Sequence, residues 1–229
     1  MKKNYQEACE KMIISQLMPV GIRSESVLQA MRTIPREAFL PQEFQLIAYA
    51  AKEIPLNKDR SIAEPIVIGK LMQACELDGS QNVLIIGDAS GYVGVLLSEN
   101  ARHVTMVDKA IHIETVQKNL EICAKAQNKS FDNIAVLACE NLLEYQPEDV
   151  FDVIIIHGAI RQMPEFLLKS LSPQGFLLSF IKKSYICEFT KAYYAIVPHA
   201  TEPLLQKEIL GECSLTQNAD FNPKPTFKF

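Results

Sequence analysis

The chain has 229 residues, with 23 Lys and Arg against 27 Asp and Glu, a formal net charge of −4, 48% hydrophobic residues and 22% charged residues. That length suits one domain, or one with an appendage, able to bury roughly 70–75% of its unfolded surface, and the ordinary apolar content excludes a disordered chain. The acidic balance without Lys/Arg clusters argues against a nucleic-acid partner, and the longest apolar stretches, such as Val153–Ile156, fall far short of the ~20 residues that span a membrane.

Residues 4–10 are polar where a secretory leader carries its apolar segment, so a cytoplasmic chain is expected. Six cysteines (Cys9, Cys75, Cys123, Cys139, Cys187, Cys213) show no CxxC and no zinc spacing with the four histidines. They read as buried free thiols, and no metal site is expected. Glycine is the unusual count, 9 in all, where average usage of about 7% gives roughly 16. The few positions that hold glycine are therefore informative.

In chain order, Tyr5–Met18 is amphipathic and helical, Ser24–Thr33 begins on a Ser cap and stops before Pro35, and Pro41–Ala51 reads as another short helix. Pro19, Pro35, Pro41, Pro55 and Pro65 divide this region into short pieces, and Pro65–Cys75 reads as a helix running to the turn Asp78–Gly79. From residue 82 apolar β-branched runs alternate with helical stretches. Strands are predicted over Asn82–Ile86, His103–Val107, Ile134–Leu137, Asp152–His157 and Phe176–Ile181, and helices over Tyr92–Asn100, Ile111–Gln127 and Pro164–Leu171. Continuous runs such as VLII and VIII suit strands covered on both faces, and the alternation implies a mostly parallel, doubly wound α/β sheet. Tyr185–Val197 and Leu204–Gly211 read as late strands, and Asn218–Phe229 as a Pro-containing tail. Residues 1–80 thus form an N-terminal helical region, joined to an α/β domain over residues 81–229 as one structural unit.

Ligands of such sheets bind at the carboxyl ends of the strands. The strand Val83–Ile86 runs into Gly87-Asp88-Ala89-Ser90-Gly91-Tyr92 and then a helix, where glycines let the backbone approach a cofactor. Asp108 ends the next strand, 21 residues past Gly87, a spacing that suits a carboxylate accepting ribose hydroxyls. A GxGxxG dinucleotide pattern is met only in part in either frame, so spacing alone leaves the cofactor open, an NAD-type dehydrogenase included.

Longer stretches narrow the choice. AMRTIPREAFLP (Ala30–Pro41) closely resembles the N-terminal signature of the protein-L-isoaspartate O-methyltransferases, and AYAAKEIPL (Ala48–Leu56) follows where that family has a similar stretch. VLIIGDASGY (Val83–Tyr92) resembles its S-adenosylmethionine loop, and FDVIIIHGAI with MPEFLLKSLSPQGFLL (Phe151–Leu178) its fourth- and fifth-strand region. The ending PTFKF resembles a divergent bacterial branch. The resemblance implies a Rossmann-like class I S-adenosyl-L-methionine-dependent fold and methyl transfer to the α-carboxylate of an isoaspartyl residue in a protein or peptide. It further implies that Gly87, Asp88, Ala89, Ser90 and Gly91 line the methionine and ribose parts of the cofactor and that Asp108, with Lys109 beside it, holds the ribose. Glu140 and Asn141 would flank the adenine, and His157, Gly158 and Ala159 would close the pocket.

Three departures qualify the expectation. Ile85 stands where the family carries an acid at the end of the first strand, and Ala89 replaces a loop glycine. In the substrate loop, TxSxP becomes Ser61-Ile62-Ala63-Glu64-Pro65, which leaves Ser61 and Glu64 as candidate catalytic residues and Ala63 without the expected hydroxyl. These departures keep two alternatives open: a non-catalytic relative that binds the cofactor, and a methyltransferase for a small molecule or another carboxylate. His112 and Glu114 read as a solvated first helical turn, and His157 as either a cofactor contact or a satisfied structural histidine.

Overall fold

Proline spacing breaks the first third of the chain as expected. In the computed structural model, which describes residues 4–196 and 202–221, α1 (Tyr5–Met12) starts on Asn4, whose side chain accepts the Glu7 amide at 3.2 Å. The helix continues through a π-type turn at Ile13–Leu17 and a 3-10 turn at Met18–Val20, and stops at Gly21. The next helix, α2 (Glu25–Thr33), ends where Pro35 forces Ile34 into an extended conformation. Over residues 41–51 the expected α-helix is replaced by a 3-10 turn, Gln42–Ile47. The bonds there run Phe44 N to Pro41 O and Ala48 N to Gln45 O, the tighter pattern adopted by segments too short to propagate an α-helix.

A small hairpin, β1 (Ile54–Pro55) and β2 (Ser61–Ile62), precedes α3 (Pro65–Ala74), which begins with Pro65 in its first turn. The buried Arg36 binds these pieces together. Its Nε donates to Ala48 O and its Nη2 to Ala63 O, both at 2.7 Å, while its guanidinium lies 5.3 Å from the centre of the Tyr92 ring.

The main sheet has seven strands: β3 (Asn82–Ile86), β4 (His103–Asp108), β5 (Ile134–Ala138), β6 (Phe151–Ile160), β7 (Leu171–Lys182), β8 (Cys187–Ala195) and β9 (Leu204–Cys213). Their order is β5-β4-β3-β6-β7-β8-β9, parallel from β5 to β7 and antiparallel for the last two pairs. Helices α4 (Tyr92–Ser98) and α5 (Ala110–Gln127) follow β3 and β4. Along β3 the side chains alternate between two apolar cores. Val83 and Ile85 pack with α1, α2, α3 and α4, whereas Leu84 and Ile86 pack with Ile154, Ile156, Leu167 and Phe221. The continuous VLII run is thus a strand covered on both faces, each buried aliphatic side chain contributing roughly 1.5–3 kcal/mol.

The second face is covered thinly. No helix joins β5 to β6, and a 3-10 turn at Glu165–Ser170 stands where a helix over 164–171 was expected. Both late strands form, although Val197 and residues 222–229, with the PTFKF ending, lie outside the described residues. Cys9, Cys75, Cys123 and Cys187 are buried free thiols, but Cys139 and Cys213 are only half-buried, because β9 and the loop after β5 lie at the sheet margins. Among the described residues no helix is long and apolar enough to cross a membrane.

Candidate active site

Strand β3 lies between β4 and β6, so the chain crossings part at its carboxyl end and leave a crevice there. Gly87 opens this crevice with φ +89°, a left-handed conformation that glycine adopts without penalty. The carboxylate of Asp88 then turns back on the loop. Its Oδ1 accepts Ser90 Oγ at 2.9 Å and Gly91 N at 3.2 Å, and its Oδ2 accepts Gly94 N at 2.9 Å. Asp88 therefore caps α4 from inside, with the charge at the favourable helix end. Ala89 is buried and has no positive φ, since the non-glycine residues with one are Glu76 and Asn128. Alanine is unstrained there, and its methyl narrows the crevice. Ile85 points into the apolar core beneath.

Asp108 ends β4 at 2% exposure. Its Oδ1 accepts the Lys109 amide at 2.8 Å and lies 3.4 Å from Arg60 Nη2, while its Oδ2 is buried without a hydrogen-bond partner. Arg60, 5% exposed, comes from the turn between β1 and β2, where Asn57 Oδ1 accepts its backbone amide at 2.9 Å. The same Nη2 binds Asp220, which also pairs with Lys109 Nζ. Burial raises the Asp108 carboxyl above the usual carboxylate range, against the pull of Arg60. Burial would raise Asp220 as well, but hydrogen bonds from Lys109 and Arg60 outweigh it and hold that carboxyl low. His112, expected in a solvated turn, is half-buried here, and desolvation lowers its pKa against the attraction of Asp108. Asp108, His112 and Asp220 present ligand atoms within 4.8 Å of one another, yet Arg60 and Lys109 already match the two carboxylate charges, so the cluster is an ion-pair network.

The crevice is closed by the segment after β9. Ala159 N donates to Thr216 O at 2.9 Å and Asn218 N to Ala159 O at 2.8 Å, so this segment adds to β6 like a short strand. Asn218 is buried and its Nδ2 donates to His157 O at 3.0 Å. The side chain lies over both strand-end glycines: a Cβ on Gly87 would strike Asn218 Nδ2, and one on Gly158, itself at φ +94°, would lie 2.8 Å from Asn218 Cβ. What remains between Arg60, Ser61, Gly87, His157, Gly158 and Asn218 is about 10 Å³, room for roughly one water.

The anticipated residues fall into three groups. Gly87, Asp88, Ala89, Ser90, Gly91, Asp108 and Lys109 gather at the ends of β3 and β4, with His157, Gly158 and Ala159 opposite on β6. His157 is buried with an unpartnered Nε2. Ser61 lines the crevice, and its hydroxyl donates to Glu53. Glu64 does not line it; this residue precedes α3, half-buried, and makes no cap bond. Glu140 and Asn141 follow β5 and are exposed. Sequence reasoning missed Arg60, Glu53, Asn218 and Asp220. Arg60 alone carried a local signal, as a cation next to Ser61.

Comparison with known proteins decides the family. Residues 8–196 match the family described as Protein-L-isoaspartate(D-aspartate) O-methyltransferase (PCMT). The chain belongs to the protein-L-isoaspartate O-methyltransferase family. Among curated relatives, the Ignicoccus hospitalis protein-L-isoaspartate O-methyltransferase is 27% identical over 216 residues, 88% of this chain and 100% of that protein. The Methanoculleus marisnigri protein of the same name is 31% identical over 171 residues, 74% of this chain and 75% of its own. A Plasmodium falciparum structure, described as a protein-L-isoaspartate O-methyltransferase in complex with S-adenosyl-L-homocysteine, superposes with a TM-score of 0.72 at 15% identity, covering 94% of this chain and 98% of that one. That likeness shows the fold: a class I methyltransferase sheet with N-terminal helices, as the family motifs implied.

Proposed function

We infer that the chain is an S-adenosyl-L-methionine-dependent O-methyltransferase that esterifies the carboxylate of isoaspartyl residues in proteins or peptides. The observation that carries this reading is the family match over residues 8–196, joined to a strand-end crevice bearing Asp108.

The residues present suit the cofactor. The buried Asp108 Oδ2 has no partner, so it offers acceptor capacity for a ribose hydroxyl, and Gly87 and Gly158 supply backbone that a ligand can approach closely. Space is the constraint, since ligand pockets of this class occupy about 300–1,000 Å³ and Asn218 and Arg60 now fill the crevice. Binding therefore requires the segment around Asn218 to swing aside. With that done, Gly87, Asp88, Ala89, Ser90 and Gly91 would hold the amino-acid end. Asp108 and Lys109 would hold the ribose, Glu140 and Asn141 the adenine, and His157, Gly158 and Ala159 the outer wall.

S-adenosylmethionine supplies an activated methyl donor, and the acceptor carboxylate is already ionised at neutral pH. The chain therefore needs no general base, and its task is to align the acceptor and exclude water. Ser61 is the hydroxyl at the crevice; Glu64, which does not line it, has no part in this reading. Calorimetry with S-adenosyl-L-homocysteine tests the proposal, which expects binding in the micromolar range. Absence of binding at millimolar ligand would overturn it.

A further inference from the structure

Two hydrogen-bond donors converge beside the crevice on a single carboxylate. Ser61 Oγ donates to Glu53 Oε1, and Thr216 N–H donates to Oε1 at 2.9 Å and to Oε2 at 3.1 Å. Glu53 comes from the approach to β1, Ser61 from β2, and Thr216 from the segment that joins β6, 163 residues away in sequence from Glu53. Ser61 and Thr216 both line the crevice with Gly87, His157 and Gly158. Thr216 is anchored from both of its peptide groups: its carbonyl accepts Ala159 N at 2.9 Å and its N–H donates to Glu53. Ala63, buried two residues after Ser61, has no hydroxyl to offer.

We propose that Glu53 is a specificity-determining residue: it occupies the carboxylate subsite formed by Ser61 Oγ–H and Thr216 N–H, and an acceptor enters by exchanging its own carboxylate for that of Glu53. The proposal rests on the methyltransferase reading given above. Its logic is that of like for like. Both donors are uncharged, so the subsite as built holds one negative charge and satisfies two donors. An incoming carboxylate restores the same charge and the same bonds, while Glu53, only half-buried, moves into water. A neutral amide or hydroxyl cannot make the exchange on equal terms, because hydrogen bonds to an ionised acceptor are roughly twice as strong as neutral ones. Glu53 thus rejects neutral side chains by competing with them, a form of discrimination that needs no contact with the substrate. The repulsion that an acidic residue in this region would bring to a carboxylate acceptor is relieved by the same exchange.

The test uses the full-length protein as wild type, Glu53→Ala and Glu53→Gln, with the Thr216 backbone amide followed by nitrogen–proton NMR. Sodium acetate, an isoaspartyl hexapeptide and the same peptide with that carboxylate amidated are titrated in turn. The proposal expects the Thr216 amide of Glu53→Ala to respond to acetate at least tenfold more tightly than in wild type. Isoaspartyl peptide should bind that variant about tenfold more tightly, and preference over the amidated peptide should fall. Glu53→Gln, which keeps an acceptor and loses the charge, should lie between. A Thr216 amide silent to acetate in a well-dispersed Glu53→Ala spectrum would overturn the proposal, as would peptide binding unchanged or weakened in both variants. If Glu53→Ala does not fold, Glu53→Gln decides alone: peptide binding tightened severalfold supports the proposal and unchanged binding overturns it. Failure of S-adenosyl-L-homocysteine to bind would instead overturn the methyltransferase reading, since acetate at Thr216 is read without cofactor.

Discussion

Asp108 is a buried carboxylate with one oxygen engaged and the other without a partner, an unfavourable state unless a ligand completes it. Replacing it with alanine should weaken S-adenosyl-L-homocysteine by roughly ten- to hundredfold, the range given by about 1.5–3 kcal/mol for a hydrogen bond to a charged group, measured by calorimetry. Asp220 differs from Asp108 in the sign of its shift. Hydrogen bonds from Lys109 and Arg60 outweigh burial and lower its pKa below the ordinary 3.8, so its stabilisation is fully present above 3.8 and is lost as pH falls through the lower folded value. Comparing wild type with Asp220→Asn by thermal unfolding, the gap in Tm should stay constant from pH 7 to about 5 and narrow below 3.8. The residues that the sequence did not reveal are of this kind. Arg60 reaches Asp108 across 48 positions and Asp220 across 160, and Asn218 reaches His157 across 61. Local periodicity carries no information about such pairings. Asp108 itself was legible because strand–loop–helix spacing fixes it relative to Gly87.

The segment 214–221 is the element on which access turns. It is held by the Ala159 bridge, by Glu53 at Thr216, by Asn218 over the two glycines and by Asp220 on Arg60 and Lys109. Asn218→Ala removes the side chain that fills the crevice, together with its hydrogen bonds to His157 O and from Asp220 N, each worth about 1 kcal/mol. Cofactor affinity should rise about three- to tenfold, read by calorimetry with S-adenosyl-L-homocysteine; unchanged or weaker binding would contradict the closed-crevice description. The β1–β2 hairpin depends on a different anchor. Arg36→Met leaves the carbonyls of Ala48 and Ala63 buried without their donor, at about 1–3 kcal/mol each, which for a chain of this size lowers Tm by roughly 5–20 °C. The element readings from sequence held where hydrophobic period was strong, as for β3, β4 and α5. They gave way at 41–51 and 164–171, where short segments take 3-10 geometry because tertiary contacts rather than propensity set their shape.

Across the whole molecule, one apolar core joins the N-terminal helices to one face of the sheet, while the opposite face is covered by loops and by Phe221. The N-terminal region is thereby placed to bring Arg60 and Ser61 to the strand ends, which explains how a sequence signature far from the glycine loop belongs to the same site. Composition already hinted at this arrangement, since a chain with few glycines has retained Gly87, Gly91 and Gly158 at the crevice with positive φ. The two other departures are equally concrete: Ile85 is core, and Ala63 gives Arg36 its carbonyl. The most direct measurement is transfer of radiolabelled methyl from S-adenosyl-L-methionine to an isoaspartyl peptide, with the matching aspartyl peptide as control. Base-labile label is expected on the isoaspartyl peptide alone, and reduced in Asp108→Ala at sub-saturating cofactor; no label on the isoaspartyl peptide at saturating cofactor, or equal label on both peptides, would overturn the proposed function.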